Sequence, residues 1–298
     1  MPAILTTNDI TMPTELSAEI FSKAQLGSVI AALASSEPQK FGKTEMMTFD
    51  TRPKAEFVGE SGDKASSPAD FGLRTVIPFK AQVTMRTSDE VLWADEDYQL
   101  GVIEEMANAA AEALSRALDI GAVHGINPLT GQPSTIVGND YKLSDAGNAV
   151  TAGDEPDLDI EAAAGLVIAK GYRPRGIALD LSYAWTIATL RYEDGRKKYP
   201  DLGLGIEISR FEGLPAAVSD TVSAAHEAAA ATKLLGVVGD WTAFRWGVQR
   251  DIGISVIEFG DPDGKGDLKR KNQVALRAEM VFGWCWIDKA AFALIKAA

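Results

Sequence analysis

The side chains best equipped for chemistry are few, and their spacing fits no common site. Cys285 is the single cysteine. It stands between Trp284 and Trp286 with no histidine near in sequence and no elbow motif around it, which describes an inert thiol rather than a nucleophile. His124 and His226 are the two histidines, and neither has the companion ligand spacing of a zinc helix or ribbon. Gly42-Lys43-Thr44 ends like a phosphate-binding loop, but the opening glycine would stand where Glu37 is. Gly203-Leu204-Gly205 lacks the third glycine of a dinucleotide fingerprint. Asp261, Asp263 and Gly266 imitate a calcium loop, yet Lys265 holds the third ligand position and Asn272 the closing glutamate position, so a solvated turn is expected. Arg196-Lys197-Lys198 and Lys269-Arg270-Lys271 are short basic runs of the kind found solvated or paired across an interface. The sequence thus predicts no catalytic residue, no cofactor and no metal, and does not read as an enzyme.

Composition narrows the classes further. Over 298 residues, 42 acidic against 29 basic side chains give a net charge of −13, a surface that repels phosphate backbones unless a local patch overrides it. Nucleic acid is therefore not the expected primary ligand. Apolar residues at 46% and charged ones at 24% exclude disordered, collagenous and coiled-coil chains. One cysteine excludes an internal disulfide framework and any multi-cysteine zinc site, and the default compartment is the cytoplasm. No stretch reaches the roughly 18 apolar residues of a spanning helix, and residues 1–40 lack a signal-peptide pattern, so export and membrane insertion are not expected.

The elements that would position these residues follow from periodicity. Residues 14–34 predict a short amphipathic helix interrupted by Gly27, too weak to stand without another surface. Residues 45–58 and 73–87 alternate as two strands, with Met47, Phe49, Phe57, Leu73, Ile77, Phe79, Ala81, Val83 and Met85 on apolar faces. Pro53 and Pro78 argue for edges or bulges, and the polar stretch 59–72 between the strands for a mobile tip. Such a two-stranded ribbon is marginal alone and needs a cover.

From Asp95 to about Gly121 the period turns helical, with a stripe of Leu100, Ile103, Ala107, Ala110, Leu114 and Leu118 and with Asp119 among the polar positions outside it. Residues 125–157 read as an irregular boundary. An α/β unit follows: helix at 157–170, strand at 176–180, helix at 182–192, and a loop or helical turn at 226–231. The last part returns to strands at 234–238, 241–249, 252–259 and 273–286, before Asp288 opens a short C-terminal helix. The fold class is α+β.

This order of elements resembles the Hong Kong 97 type of tailed-bacteriophage major capsid protein, the phage major head protein family. Local wording is similar too: Leu16-Ser17-Ala18-Glu19-Ile20-Phe21, Trp93-Ala94-Asp95-Glu96-Asp97-Tyr98, Gly125-Ile126-Asn127-Pro128-Leu129-Thr130-Gly131 and Asp194-Gly195-Arg196-Lys197-Lys198-Tyr199-Pro200. The likeness continues through Phe211-Glu212-Gly213-Leu214-Pro215, Gly239-Asp240-Trp241, Arg245-Trp246-Gly247-Val248-Gln249-Arg250 and Glu258-Phe259-Gly260-Asp261-Pro262. The resemblance implies an N-terminal arm at 1–39, an E-loop at 40–92, a P-domain with its spine helix at 93–156, an A-domain at 157–240, and P-domain return strands with the C-terminal helix at 241–298. It implies hexamers and pentamers of this chain in an icosahedral head around double-stranded DNA, assembled in the host cytoplasm with a separate scaffolding protein and a portal protein. DNA would be touched only through weak non-specific contacts, and no membrane is involved. An encapsulin-like protein compartment is the near alternative, disfavoured by the Trp93 and Pro128 segments. An unrecognised soluble enzyme is the distant one.

Some members of that family join an E-loop lysine of one subunit to an asparagine of a second, helped by a glutamate seven residues beyond an asparagine in a third. The resemblance places Lys64, Asn272 and Glu279 at the corresponding positions. On one regular strand, residues seven apart face opposite sides, so the two would have to come from different subunits. With Lys64 in a polar tip, the expectation is a non-covalent shell.

Overall fold

The computed structural model describes residues 27–40, 42–49, 54–67, 71–90, 96–203 and 208–298, the side chains of 49, 96–100, 251 and 252 excepted. The first half of the predicted arm helix, strand residues 50–53, and Trp93 to Asp95 lie outside them. One long helix braces two sheets.

The first sheet runs in the order β1 (Thr44–Phe49), β2 (Phe71–Ser88), β9 (Gln273–Trp286) and β8 (Phe244–Ile257), antiparallel throughout. In β9 the even positions from Val274 to Trp286 are all buried, as their alternation requires. Against that face lies α2 (Glu96–His124), about 43 Å long at the usual helical rise, with Ala107, Ala110, Leu114 and Leu118 inward. The indole nitrogens of Trp284 and Trp286 donate to the carbonyl of Tyr141 at 2.9 and 3.1 Å, so these large rings are buried without an orphaned N–H.

The second sheet has the order β3 (Ala149–Thr151), β10 (Phe292–Lys296), β7 (Leu234–Gly239), β4 (Gly176–Leu179), β6 (Leu214–Val218) and β5 (Arg210–Phe211). Helices α3 (Pro156–Ala169) and α4 (Leu181–Thr189) pack with Ile177, Leu179, Val238 and Ile295 on one face. Ala178, Val237 and Leu294 join a larger core with α1 (Val29–Leu33) and α2 on the other.

Four expectations change. The C-terminal helix is absent: Asp288 caps only a short turn at Lys289–Ala291, and the chain then enters β10 between β3 and β7. Phe292, Ala293, Leu294 and Ile295 are all buried, and a central strand covered on both faces reads as an unbroken apolar run that periodicity cannot separate from a helix. The strands expected at 241–249 and 252–259 are one strand, β8, carrying register shifts at Val248/Arg250 and Asp251/Gly253. Gly253 there adopts φ 74°, open to glycine at no steric cost.

Among the described residues the first ribbon strand reaches Phe49 and does not resume at 54–58, which is irregular: the amides of Lys54 and Ala65 are taken by Ser67 Oγ and Glu56 Oε1 rather than by a ladder. Helix α4 stops at Thr189, whose hydroxyl captures the Trp185 carbonyl, and a tight turn with an Arg191–Lys197 bridge follows. Pro78, by contrast, stands where expected. The β1 ladder ends at Val76, so β2 is the sheet edge at Pro78 and the missing N–H costs nothing.

Candidate assembly surface

The root of the N-terminal segment is fixed by a buried carboxylate. Asp119 of α2 is 1% exposed and accepts from Val29 N at 2.9 Å, Ile30 N at 3.3 Å, Thr221 Oγ1 at 2.9 Å and the Ser28 hydroxyl. Ser28 in turn caps α1. Burial pushes the Asp119 carboxyl up from its ordinary range, and the four donors pull it back only in part. The sequence placed Asp119 on the polar side; its signal was a lone acid between Leu118 and Ile120 in an otherwise apolar helix end.

Asp119 belongs to a short series. Arg116 binds Asp220, Asp119 binds Thr221, and the ring of His124 meets the Val222 carbonyl at 2.8 Å, so successive turns of α2 grip three consecutive residues after β6. Burial holds the His124 imidazole down at about 4, which leaves it neutral at pH 7 with Nε2–H donating. His124 is therefore structural. His226 is exposed, 3.8 Å from Asp220.

Downstream of α1, the segment 34–42 is tied to β8. Trp246 Nε1 donates to the Ala34 carbonyl at 3.0 Å, Glu37 N to the Trp246 carbonyl at 2.9 Å and Gln249 Nε2 to the Gly42 carbonyl at 3.1 Å, while Arg245 pairs with Glu37. A Cβ on Gly247 would stand 1.7 Å from the Glu37 carbonyl oxygen, so this crossing requires glycine. Gly42 serves in that attachment and not in a phosphate loop.

The remaining motif residues resolve one by one. Burial pushes the Cys285 thiol up to about 11, away from the reactive thiolate. The calcium-like loop is no solvated turn. Arg86 of β2 enters it, binding Asp263, Asp261 at 3.0 Å and the Gly266 carbonyl at 3.0 Å, so a guanidinium stands where a metal ion would. Lys269 pairs with Asp89 and lies over the Phe259 ring; Lys198 pairs with Asp157, and Arg196 with Asp194. Each basic run therefore has members paired within the subunit. Leu204 and Gly205 lie outside the described residues.

The three residues of the covalent motif are not brought together. Lys64 is exposed beside the Gly59–Gly62 turn, with no ion-pair partner among the described residues. Asn272 is not on the strand: it sits just before β9 in a left-handed conformation, φ 49°, with its carbonyl accepting Asp89 N. The parity argument separating it from Glu279 therefore lapses. Glu279 does lie in β9, paired with Lys80 of β2 at 2.9 Å.

What remains exposed is apolar and extended. Met47 and Leu73 face each other across the β1–β2 ladder at 71% and 57% exposure, and Phe57 further out is fully exposed. A groove of about 410 Å³ lies between β2, α2 and the 126–137 loop, with Leu129 and Ile136 standing out at its rim. These are surfaces of a chain that binds other chains. Among the described residues no helix is long and apolar enough to cross a membrane, and no group of acidic, histidine or cysteine side chains could hold a metal ion.

Comparison with known proteins agrees. The sequence profile of the phage capsid family matches residues 8–297. A solved structure from Mycobacterium phage Ogopogo is 43% identical, covering 99% of this chain and 100% of that one, with a TM-score of 0.82. One from Gordonia phage Cozz is 31% identical over 91% and 86% of the two chains, with a TM-score of 0.77. The capsid of an empty GTA particle shares the fold at 17% identity, a TM-score of 0.61 and coverage of 91% and 90%. No curated protein sequence matches.

Proposed function

Because this chain belongs to the phage capsid family and is a structural capsid subunit that self-assembles into a capsid lattice, we propose the finer arrangement: hexamers and pentamers tiling an icosahedral head around double-stranded DNA. One observation carries the reading. The outer ribbon presents Met47, Leu73 and Phe57 to solvent, and a two-stranded ribbon with an uncovered apolar face gains its stability from a neighbour. In this reading 1–39 is the arm, 40–92 the E-loop that reaches over the next subunit, and 93–156 with 241–286 the P-domain. Residues 157–240 form the A-domain, joined through β3 and β10 by strands from outside that range. The proposed partners are a separate scaffolding protein, a portal protein and, weakly, the packaged DNA, which a net charge of −13 keeps at arm's length. Assembly takes place in the host cytoplasm, and the shell is held without covalent links between subunits.

Electron microscopy and denaturing electrophoresis of assembled particles test this. Closed shells containing DNA, with one band near 31.8 kDa, are expected. Deleting 60–67 should leave a folded subunit that assembles poorly, since exposed loop tips tolerate loss while inter-subunit contacts do not. A chain that stays monomeric under all conditions overturns the shell. Ladders that vanish in Lys64→Ala or Asn272→Ala overturn the non-covalent reading alone.

A further inference from the structure

The three contacts that α2 makes with the turn after β6 are not equivalent. Arg116 holds Asp220 and Glu227, and His124 holds the Val222 carbonyl, so both serve the turn's side of the junction. Of the three, Asp119 is the one shared with the arm root. Its Oδ2 accepts from Thr221 Oγ1 and from Val29 N, each at 2.9 Å, while its Oδ1 takes the Ser28 hydroxyl and Ile30 N. Two segments distant in sequence thus converge on one carboxylate.

The four donors are two hydroxyls and two backbone amides, all uncharged, so the carboxylate is sustained in the core by their number. Docking either segment removes water from Asp119 and supplies part of what replaces it. With the Thr221 hydroxyl withdrawn, closing the arm root would bury a carboxylate short of a donor; with Ser28, Val29 and Ile30 withdrawn, the turn would close over one short of three. Each segment therefore docks more favourably when the other is in place. A cleft of about 320 Å³, bordered by Gly27, Glu112, Arg116 and Ser219, lies against the junction and gives water a way in once the arm root lifts.

We propose that Asp119 couples the arm root to the second sheet, so that drawing residues 28–30 away from α2 loosens the 219–222 turn without any contact at that turn. By linkage the effect is reciprocal, and loosening the turn frees the arm root by the same factor. Arg116 and His124 keep the turn attached, so the response is a loosening and not a release. Helix α1 also packs against β4 and β6, a contact of shape that removal of a hydroxyl at 221 leaves intact. The inference is independent of how copies of the chain are arranged.

Amide hydrogen exchange on the unassembled full chain tests this. Thr221→Val keeps the shape of the side chain and removes its donor; it should speed exchange at Val29, Ile30 and Ala34 roughly tenfold, toward the low end of the range for coupled sites. Thr221→Ser restores the donor and should return those amides to the parent's rates. In the reverse direction, Ser28→Ala should speed the Ala224 amide, which donates to the Asp220 carbonyl at 3.0 Å, by a similar factor. Amides of the β2–β9 ladder should exchange as in the parent in all three variants. Unchanged protection at 29–34 in Thr221→Val, or an Ala224 amide indifferent to Ser28→Ala, overturns the coupling. A Thr221→Ser chain as fast as Thr221→Val would assign the effect to packing, and equal acceleration in the β2–β9 ladder would assign it to general loss of stability; either result also overturns the proposal.

Discussion

The grip of α2 on the 220–222 turn predicts a specific acid sensitivity, set by His124. Burial holds its imidazole at about 4, against an ordinary value of 6.5. Between those values the unfolded chain takes up a proton that the folded one refuses, so stability is present above 6.5 and falls as the pH drops toward 4. At about 1.4 kcal/mol per pH unit the gap amounts to about 3 kcal/mol, a large share of the roughly 5–15 kcal/mol typical of a folded domain. The neighbouring carboxylates do not imitate this. Asp157, Asp194, Asp220 and Asp263 are held below their ordinary 3.8 and lose their contribution only beneath that value. Asp119 works in the opposite sense: its carboxyl is raised, so its contribution is lost as the pH rises through that raised value. Urea denaturation of the unassembled subunit from pH 7.5 to 4 reads the slope. His124→Gln keeps an Nε2–H donor for Val222 but cannot titrate, so it should flatten the curve between pH 6.5 and 4. Equal slopes in parent and variant would refute the assignment.

Two further perturbations probe the attachments of the ribbon and the arm. Asp119→Ala strands the Ser28 and Thr221 hydroxyls and the amides of Val29 and Ile30 without their acceptor. It should cost about 2–4 kcal/mol and expose 27–40 to protease, with Asp119→Asn intermediate; unchanged cleavage would deny Asp119 its role at the arm root. Arg86→Met should release the 258–268 loop, speeding exchange of the Leu268 amide, now bonded to the Gly260 carbonyl, roughly tenfold. Calcium should slow that exchange again in the variant and not in the parent if the guanidinium is the resident cation of the loop.

Legibility in the sequence followed how many faces an element buries. β9 is legible because every even position from Val274 to Trp286 is apolar and buried, although Ala275, Gly283 and Cys285 on its other face are covered as well. The spine helix, amphipathic over most of its course, is readable except at Asp119, where a carboxylate is tolerated in the core because four donors from two other segments converge on it. β10 is buried on both faces and so loses the alternation that marks a strand. The Arg86 loop was misread because its cation comes from 175 residues away in sequence, at Asp261. The ribbon's overhang was legible as a need for cover, although which surface provides that cover depends on geometry between copies.

The layout of β2 ties the ribbon's order to assembly. Of its 18 residues, Ile77 to Ser88 pair with β9 and are held by the body, whereas Phe71 to Val76 pair with β1 alone. Those six residues extend about 20 Å at the usual strand rise. The ladder bonds there fix two segments against each other but bury little: Met47 and Leu73 stay open, and further out the amides of Lys54 and Ala65 turn to side-chain acceptors. Such a hairpin is marginal by itself, so a neighbour that covers its apolar face contributes twice, through the area it removes from water and through the conformational entropy the ribbon has already partly surrendered to the β9-anchored half. A ribbon built this way gains from a neighbour the stability it lacks alone. Among the described residues Lys64 has no buried partner that would drive it toward covalent attack, and Glu279 is already matched by Lys80. The shell proposed above accordingly relies on contact surface rather than on a bond.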